Sequence, residues 1–356
     1  MPDGPLFTGG TQARDEPSLP PPLEPQLREF GHYVPSDALK NAVDVAMLLG
    51  QPLLITGEPG TGKTTVAAAL AHELFADRFL QMQIKSNSGR EDLLYRIDEM
   101  ARFRDAQPNR TPQRLLEYFE LRPLGEAIVR ACDPETPLVH RSGRALNGRE
   151  TFLDEVFGPK RERIVPKVRD LLPDATNWKA PQRWVVLVDE IDKAPRDTPN
   201  DLLEEFDRME FAIPELNLRV RPPNNAPRPV VVVTSNSEKS LPDAFLRRCA
   251  FHHITFPNET ELRQIIVTRL GGLTMNELRL TEFLGLFEEL RSAMLRKPGT
   301  AELLQWIRML DRDEALHAAT NRATIINNLQ RLVSILAKQE SDIANANDVL
   351  KKWTTR

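Results

Sequence analysis

Hydrophobic and polar residues along the chain form two kinds of segment. Five short, nearly continuous apolar runs predict buried strands, because a strand covered on both faces of a parallel sheet is hydrophobic at almost every position. The predicted strands are residues 52–56, 79–84, 184–188, 229–234 and 252–256. Segments with helical periodicity separate several of them, and this order is typical of an α/β sandwich with a five-stranded parallel sheet.

Helical periodicity is found before the first predicted strand and after the last one. Ser36 or Asp37 is a candidate N-cap for a first helix, whose apolar positions continue to Leu49. From Glu259 onward no strand pattern is found, and four segments have the period of amphipathic helices. These segments are residues 262–270, 278–295, 301–310 and 323–336. We therefore expect a smaller all-α domain after the α/β domain.

The same pattern divides the 356 residues into three parts. Residues 1–26 contain many prolines and few large apolar side chains, which predicts a flexible tail. Residues 27–257 form the predicted α/β domain, and a less regular stretch around 88–180 is predicted to be an insertion in it. Residues 258–356 form the predicted helical domain.

Composition argues against a membrane protein and against a fully disordered chain. Hydrophobic residues make up 40% and charged residues 28%, and no apolar run approaches the roughly 18 residues that span a bilayer. The N-terminal segment lacks the residue order of a signal peptide.

Cys132 and Cys249 have neither zinc-site nor CxxC spacing, which favours a reducing, cytoplasmic setting. The net charge of -4 gives no general attraction to nucleic acid.

The segment after the first predicted strand carries the most specific motif. It reads Gly57-Glu58-Pro59-Gly60-Thr61-Gly62-Lys63-Thr64 and matches GxxxxGK[ST], with a predicted helix beginning at Thr65. Glycines let backbone N–H groups turn toward phosphate oxygens, and a helix N-terminus attracts the same anion. Lys63 adds a charge toward the β- and γ-phosphates, and the Thr64 hydroxyl can bind Mg²⁺. Residues 57–65 are therefore the predicted site for ATP with Mg²⁺.

Two carboxylates follow the predicted strand 184–188. Asp189 and Glu190 would lie at the carboxyl end of that strand, where parallel sheets bind their ligands. We expect Asp189 to support the metal, directly or through water, and Glu190 to take a proton from the attacking water as general base. The alternative explanation of the pair is a strand that ends at the surface.

Polar residues also follow the predicted strand 229–234. Asn236 is a candidate for orienting the attacking water near the γ-phosphate, or alternatively for forming a turn.

Further along, Arg247 and Arg248 follow a short predicted helix. An arginine that reaches the γ-phosphate of a neighbouring subunit stabilises transition-state charge, so either is a candidate arginine finger. A surface salt bridge is the alternative role.

The insertion contains a basic stretch. Between residues 140 and 169, eight Lys and Arg side chains stand against four Asp and Glu side chains. This stretch could face a polyanion or an acidic partner, or it could be a solvated segment of mixed charge.

Taken together, these motifs resemble the AAA+ ATPases, and within them the MoxR group. The general likeness rests on the phosphate loop and on the stretches VVLVDEIDKA, VVVTSN and LPDAFLRRC. The MoxR likeness rests on residues 85–95, 200–211, 213–216 and 297–304. In the third of these segments and just after it, Leu216, Leu218 and Val220 alternate with polar residues, as in a half-exposed hairpin strand.

The resemblance implies a P-loop NTPase fold, a three-layer sandwich followed by a small all-α lid domain. It implies a magnesium-dependent ATPase that assembles into a ring of copies of itself, with a hexamer as the expected ring. It also implies chaperone-like remodelling of a client protein, which in MoxR-like systems often carries a von Willebrand factor A domain. Tyr33 and Val34 fall near the adenine position of the family, or alternatively only pack the start of the first helix.

The chain departs from the family pattern at two places. Residues 133–180 are longer than the family core needs. The lid helix usually begins with an arginine that touches the nucleotide, whereas Gly299 or Thr300 falls near that point here. Arg296 or Lys297 could substitute for it, or the contact could be absent.

Two other functions stay open at the level of sequence. One is a nucleotide-gated assembly module in which turnover is slow. The other is a nucleic-acid motor of a defence or restriction system that uses the basic stretch, although no recognition motif supports a nucleic-acid partner.

Overall fold

The computed structural model describes residues 33–105, 114–158, 165–173, 175, 177–312 and 322–354. The tail predicted at residues 1–26 lies outside them. The chain divides into two compact units. The sheet unit comprises the described parts of residues 35–57 and 63–254, and the helical unit comprises those of residues 33–34, 58–62 and 255–354.

The sheet unit is built on a five-stranded parallel sheet with the order β10-β1-β9-β6-β2. Its strands, with the shorter ones of the same unit, are β1 (Leu53–Gly57), β2 (Phe79–Gln83), β3 (Tyr95–Ile97), β4 (Phe119–Leu121), β5 (Val139–His140), β6 (Val185–Asp189), β7 (Phe211–Ile213), β8 (Leu218–Val220), β9 (Val230–Ser235) and β10 (Ala250–Ile254). The predicted α/β fold with a five-stranded parallel sheet is thereby confirmed.

Burial differs between the centre and the edges of this sheet. Every residue of β1 and β9 is buried, and so is β6 except for its last residue. The edge strands β2 and β10 are only partly buried. The continuous apolar pattern therefore located the central strands to within a residue, whereas β10 begins two residues earlier than predicted.

Helices alternate with these strands along the sheet unit. They are α1 (Asp37–Leu49), α2 (Lys63–Phe75), α3 (Glu91–Leu94), α4 (Glu99–Asp105), α5 (Pro123–Arg130), α6 (Phe152–Phe157), α7 (Thr198–Asp201), α8 (Leu203–Arg208) and α9 (Asp243–Leu246). The Ser36 hydroxyl accepts a hydrogen bond from the Leu39 N–H at 3.2 Å, so Ser36 is the N-cap of α1. Gly50, with φ of 63°, ends that helix in the left-handed conformation.

The predicted insertion folds as short elements that share the core of the sheet unit. Strands β3 and β4 pair antiparallel. Strand β5 pairs with β8, which itself forms an antiparallel hairpin with β7. The hairpin was expected from its alternating pattern, and Leu218 and Val220 are buried on one side of it. Its extension by β5 from the insertion was not expected.

The helical unit contains α10 (Glu259–Leu270), α11 (Glu277–Ala293), α12 (Thr300–Asp311), α13 (Arg322–Leu336) and α14 (Glu340–Thr354). The first four were predicted. The fifth was not, because its sequence is largely polar and its buried positions include only one aliphatic side chain larger than alanine, Leu350. The core is centred on Phe283, Phe287 and Trp306, which are almost fully buried. Among the described helices, none combines the length and the apolar character that crossing a membrane requires.

Gly125 in α5 allows a close approach that can be tested. A Cβ at this position would lie 1.9 Å from the Leu94 carbonyl oxygen. We expect Gly125→Ala to lower the free energy of unfolding by about 1–3 kcal/mol, because this clash outweighs the gain of roughly 0.5–1 kcal/mol in helix propensity. Gly285→Ala is the control, since a Cβ there meets no atom within 4 Å. It should raise the melting temperature where Gly125→Ala lowers it. Equal melting temperatures would contradict the close packing of α5 on α3.

Candidate active site

Residues 57–64 link β1 to α2 and form the predicted phosphate loop. Gly57, Gly60 and Gly62 have φ values of 149°, 78° and 87°, which favour glycine. The buried Thr61 donates its hydroxyl hydrogen to the Glu58 carbonyl at 2.8 Å. The backbone therefore turns where the motif has glycine, and Lys63 and Thr64 begin the helix that follows.

Lys63 is the cation of this loop, and its side chain is buried. It is 7% exposed, and its Nζ donates to the Gly57 carbonyl at 2.8 Å. Burial lowers the pKa of Lys63, while the nearby carboxylates of Asp189, Asp192 and Glu190 act to raise it. The ammonium group is thus held against the loop backbone, with three carboxylates close enough to interact with it.

Asp189, at the end of β6, is held by two hydroxyl groups. Thr64 Oγ1 lies 3.2 and 3.3 Å from its two carboxylate oxygens. Thr234 in β9 is fully buried and donates to Asp189 Oδ1 at 2.6 Å. The Thr234 hydroxyl also accepts the Glu190 N–H at 2.9 Å. Thr234 was not among the predicted site residues, although a polar residue within the apolar run of β9 was a usable signal.

Glu190 follows Asp189 and adopts a left-handed backbone conformation with φ of 60°. Its Oε2 accepts hydrogen bonds from Lys193 Nζ at 2.6 Å and Gln83 Nε2 at 3.0 Å. Its Oε1 accepts one from Asn236 Nδ2 at 3.1 Å. The hydrogen bond from Lys193 lowers the pKa of Glu190, and those from Gln83 and Asn236 lower it further. Glu190 is therefore held as a carboxylate by Lys193 and Gln83, neither of which the sequence singled out.

Asn236 is placed by the turn that follows β9. Its N–H donates to the Asp192 carboxylate at 3.3 Å, and the Glu238 N–H donates to the same group at 3.0 Å. Asp192 is 3% exposed. The structure thus brings the amide of Asn236 and the carboxylate of Glu190 together.

The two candidate arginine fingers differ in their contacts. Arg248 donates to Asp207 Oδ2 at 2.9 Å and to the Ala244 carbonyl at 3.1 Å. Arg247 is exposed, and within the part of the chain that the structure describes its side chain has no hydrogen-bond or ion-pair partner. These arginines are not brought into contact with Asp189 or Glu190.

Near the start of α12, the residues at the expected arginine position and the two possible substitutes for that arginine differ in exposure. Gly299 and Thr300 are buried, and the Thr300 N–H donates to the Gly60 carbonyl of the phosphate loop at 3.0 Å. Arg296 and Lys297 are exposed. Tyr33 also lies beside the loop, because a Cβ at Gly62 would be 3.4 Å from its ring.

The double contact of Thr234 generates a prediction about stability. Thr234→Val removes the hydroxyl and leaves Asp189 Oδ1 and the Glu190 N–H each short of one partner. We expect the free energy of unfolding, measured in urea without nucleotide, to fall by about 1–3 kcal/mol. Thr234→Ser keeps the hydroxyl and should retain most of that stability. Equal losses in the two variants would show that the methyl group, and not the hydroxyl bridge, is what matters.

Comparisons with known proteins show the family of this chain. Residues 52–249, more than half of the chain, match the AAA domain of the dynein-related subfamily. The small subunit of replication factor C from Aeropyrum pernix is 40% identical over 86 residues, or 24% of this chain. The chain spans about a quarter, 25%, of the length of that relative.

Two solved structures are similar at low identity. A Cytophaga hutchinsonii protein provisionally described as an ATPase gives a TM-score of 0.36 at 14% identity, over 91% of this chain and 84% of that one. A threonine-to-valine variant of RuvB from Thermotoga maritima gives 0.39 at 14% identity, over 85% and 68% of the two chains. The match over residues 52–249 shows the family by itself: the chain belongs to the AAA domain family, in its dynein-related subfamily.

Proposed function

We propose that the protein hydrolyses ATP to ADP and phosphate with Mg²⁺, as a ring-forming AAA ATPase of MoxR type. The observation that carries the proposal is the hydrogen-bonded group formed by Thr64, Asp189, Thr234 and Glu190 beside the buried Lys63. This group combines a phosphate-binding cation, a metal-binding pair and an ionised base at one edge of a parallel sheet.

The phosphate loop has the features that ATP requires. Positive φ values at Gly60 and Gly62 let backbone N–H groups turn toward an anion, and Lys63 adds charge at the N-terminus of α2. We assign residues Gly57 to Thr65 to nucleotide binding, with Lys63 on the β- and γ-phosphates. The proposal keeps a core domain at residues 27–257 and a lid domain at residues 258–356, although residues 58–62 of the loop cluster with the helical unit.

Hard oxygen ligands for magnesium are present beside the loop. Thr64 Oγ1 and the Asp189 carboxylate lie within hydrogen-bond distance of each other, and Mg²⁺ prefers such oxygens together with phosphate oxygens and water. Over the described residues, no group of three or more His, Cys, Asp or Glu side chains could hold a metal by itself. Two protein oxygens fit an ion that takes most of its ligands from the nucleotide, where it neutralises phosphate charge.

Glu190 and Asn236 take the proton-transfer and orienting roles in this proposal. The pKa of Glu190 is lowered by its three donors, so it is a carboxylate that can accept a proton from water. Asn236 donates to that carboxylate, and in this proposal its amide orients the same water.

A second candidate function is a nucleotide-gated assembly module in which turnover is slow. The observation that favours it is that both carboxylate oxygens of Glu190 already accept hydrogen bonds. Oε2 accepts two and Oε1 accepts one. A partner that frees the carboxylate would then raise the rate. A von Willebrand factor A domain protein is the partner class that the MoxR resemblance implies, and its effect on the ATPase rate separates the two functions.

In the basic stretch of the insertion, three of the eight cations are paired with carboxylates, which weakens the case for a nucleic-acid function. Arg144 pairs with Glu150, while Lys167 and Arg169 both pair with Glu135. Of the other five cations, Arg141 and Arg149 are exposed, and those at 160, 161 and 163 lie outside the described residues.

Glu190→Gln tests the general base. The amide keeps the size of the side chain but cannot accept the proton from water. We expect ATP binding within a few-fold of the unmodified protein and turnover lowered by about 10²–10⁴-fold. Nucleotide titration and a phosphate-release assay measure the two effects. Lys63→Ala is the contrasting control and should lose ATP binding itself. Normal turnover by Glu190→Gln would remove this residue as the base.

Of the two candidate fingers we favour Arg247, because Arg248 is already paired with Asp207. We expect Arg247→Ala to lower turnover by about 10³-fold or more without weakening ATP binding. Arg248→Ala should lower it less. Turnover per subunit should also rise with protein concentration, because the finger acts on a neighbouring copy. A large loss for Arg248→Ala alone would reverse the assignment.

A further inference from the structure

The central part of the phosphate loop, residues 58–62, belongs to the helical unit. Two separate contacts hold it there. The first is an ion pair in which Arg291 of α11 donates from its Nη2 to the Glu58 carboxylate. Arg291 is 8% exposed, and its guanidinium carbon lies 3.7 Å from the centre of the Phe256 ring. The cation is therefore fixed on an aromatic face as well as by the loop carboxylate.

The second contact joins backbone to backbone. The Thr300 N–H donates to the Gly60 carbonyl at 3.0 Å. A Cβ at Gly299 would lie 2.8 Å from Gly60 Cα and 2.9 Å from the Pro59 carbonyl oxygen. The start of α12 thus lies directly against the loop, and position 299 has no room for a side chain.

Both contacts bury polar groups, which costs free energy. Burial lowers the pKa of Arg291, and the charge of Glu58 acts to raise it. Within the described residues, Arg291 Nη1 and Thr300 Oγ1 are buried without a hydrogen-bond partner. Core packing alone would favour apolar side chains at both positions. The charged partner of the buried Arg291 side chain is therefore the Glu58 carboxylate of the loop.

We propose that Arg291 and Gly299 are positioning residues that preorganise the phosphate loop for the phosphates of a nucleotide. This inference rests on the proposed nucleotide-binding function. A loop with glycine at positions 60 and 62 loses much conformational entropy when it closes on a ligand. Contacts that order the loop beforehand reduce that loss and raise affinity. Because they act on the loop and touch no single phosphate, ATP and ADP benefit equally.

The test compares nucleotide affinities of the full chain with Mg²⁺, using fluorescent ATP and ADP analogues. Arg291→Met keeps an apolar side chain on Phe256 but removes the charge, and Glu58→Gln removes the charge from the loop. We expect each to raise both Kd values about tenfold, or about 1.4 kcal/mol. The double variant should be no weaker than either single one, because both act through one contact.

The matched control is Arg263→Met. Arg263 pairs with Glu259 at 2.8 Å and with Glu277 at 3.3 Å within the same helical unit. Losing those pairs should leave both Kd values unchanged. If Arg291→Met fails to fold, Glu58→Gln and Gly299→Ala carry the test. The φ of -90° at position 299 suits alanine, so only its collision with the loop should raise the two Kd values.

Several outcomes would overturn the inference. Unchanged affinities, additive losses in the double variant, or a loss confined to ATP would each do so, the last because it indicates direct contact with the terminal phosphate. If the unmodified protein bound neither nucleotide, the proposed function would fail, and the inference with it. If the unmodified protein bound both nucleotides and the variants bound them with the same Kd values, only the positioning role would be ruled out.

Discussion

The parallel register of the central strands is the constraint on which the candidate active site depends. Strand β6 pairs with β9 so that Val188 lies opposite Val233, and with β2 so that Asp189 lies opposite Gln83. The next residue of β9 is Thr234, whose hydroxyl reaches Asp189 and the Glu190 N–H. A slip of one residue would turn these side chains to the other face. Burial of the apolar strand residues thus sets the register, and the register brings the polar ends together.

Charge compensation is the second requirement of the site. Burial works against the ammonium group of Lys63, and the Gly57 carbonyl and three carboxylates offset that penalty. Asp192 is likewise buried, but it accepts two backbone N–H groups. Neutralising one partner leaves the others uncompensated in a buried setting, which costs more than the pair contributes. Charge substitutions here therefore affect stability as well as chemistry, and binding and unfolding have to be measured on the same variant.

The sequence predicted the parts of this structure that depend on local pattern. Continuous apolar runs located the central strands, and glycine spacing located the phosphate loop, because both patterns are contained in a few neighbouring residues. The roles predicted for Asp189, Glu190 and Asn236 stay predictions, although the structure brings the three together. The short elements of the insertion escaped prediction because each is too brief to show a period.

Contacts between distant residues could not be predicted from one sequence. Gln83 and Glu190 are 107 positions apart, and Glu58 and Arg291 are 233 apart. Nothing in either local segment distinguishes the partner from an ordinary surface residue. Lys193 is closer, three positions after Glu190, but its contact depends on the left-handed backbone at Glu190 and the 3₁₀ turn Ile191–Lys193. The pattern of apolar residues contains no information on that turn.

The strained backbone of Glu190 contributes to the arrangement of the candidate active site. Its left-handed conformation costs of the order of 1–3 kcal/mol, yet it turns the chain directly into the 3₁₀ helix after β6. That turn buries Asp192, which accepts the N–H groups of Asn236 and Glu238 from the segment after β9. The strained residue therefore lets two turns from neighbouring strands hold each other. Relaxing Glu190 would release Asn236 along with the carboxylate, so the strain is part of what fixes both groups at one place.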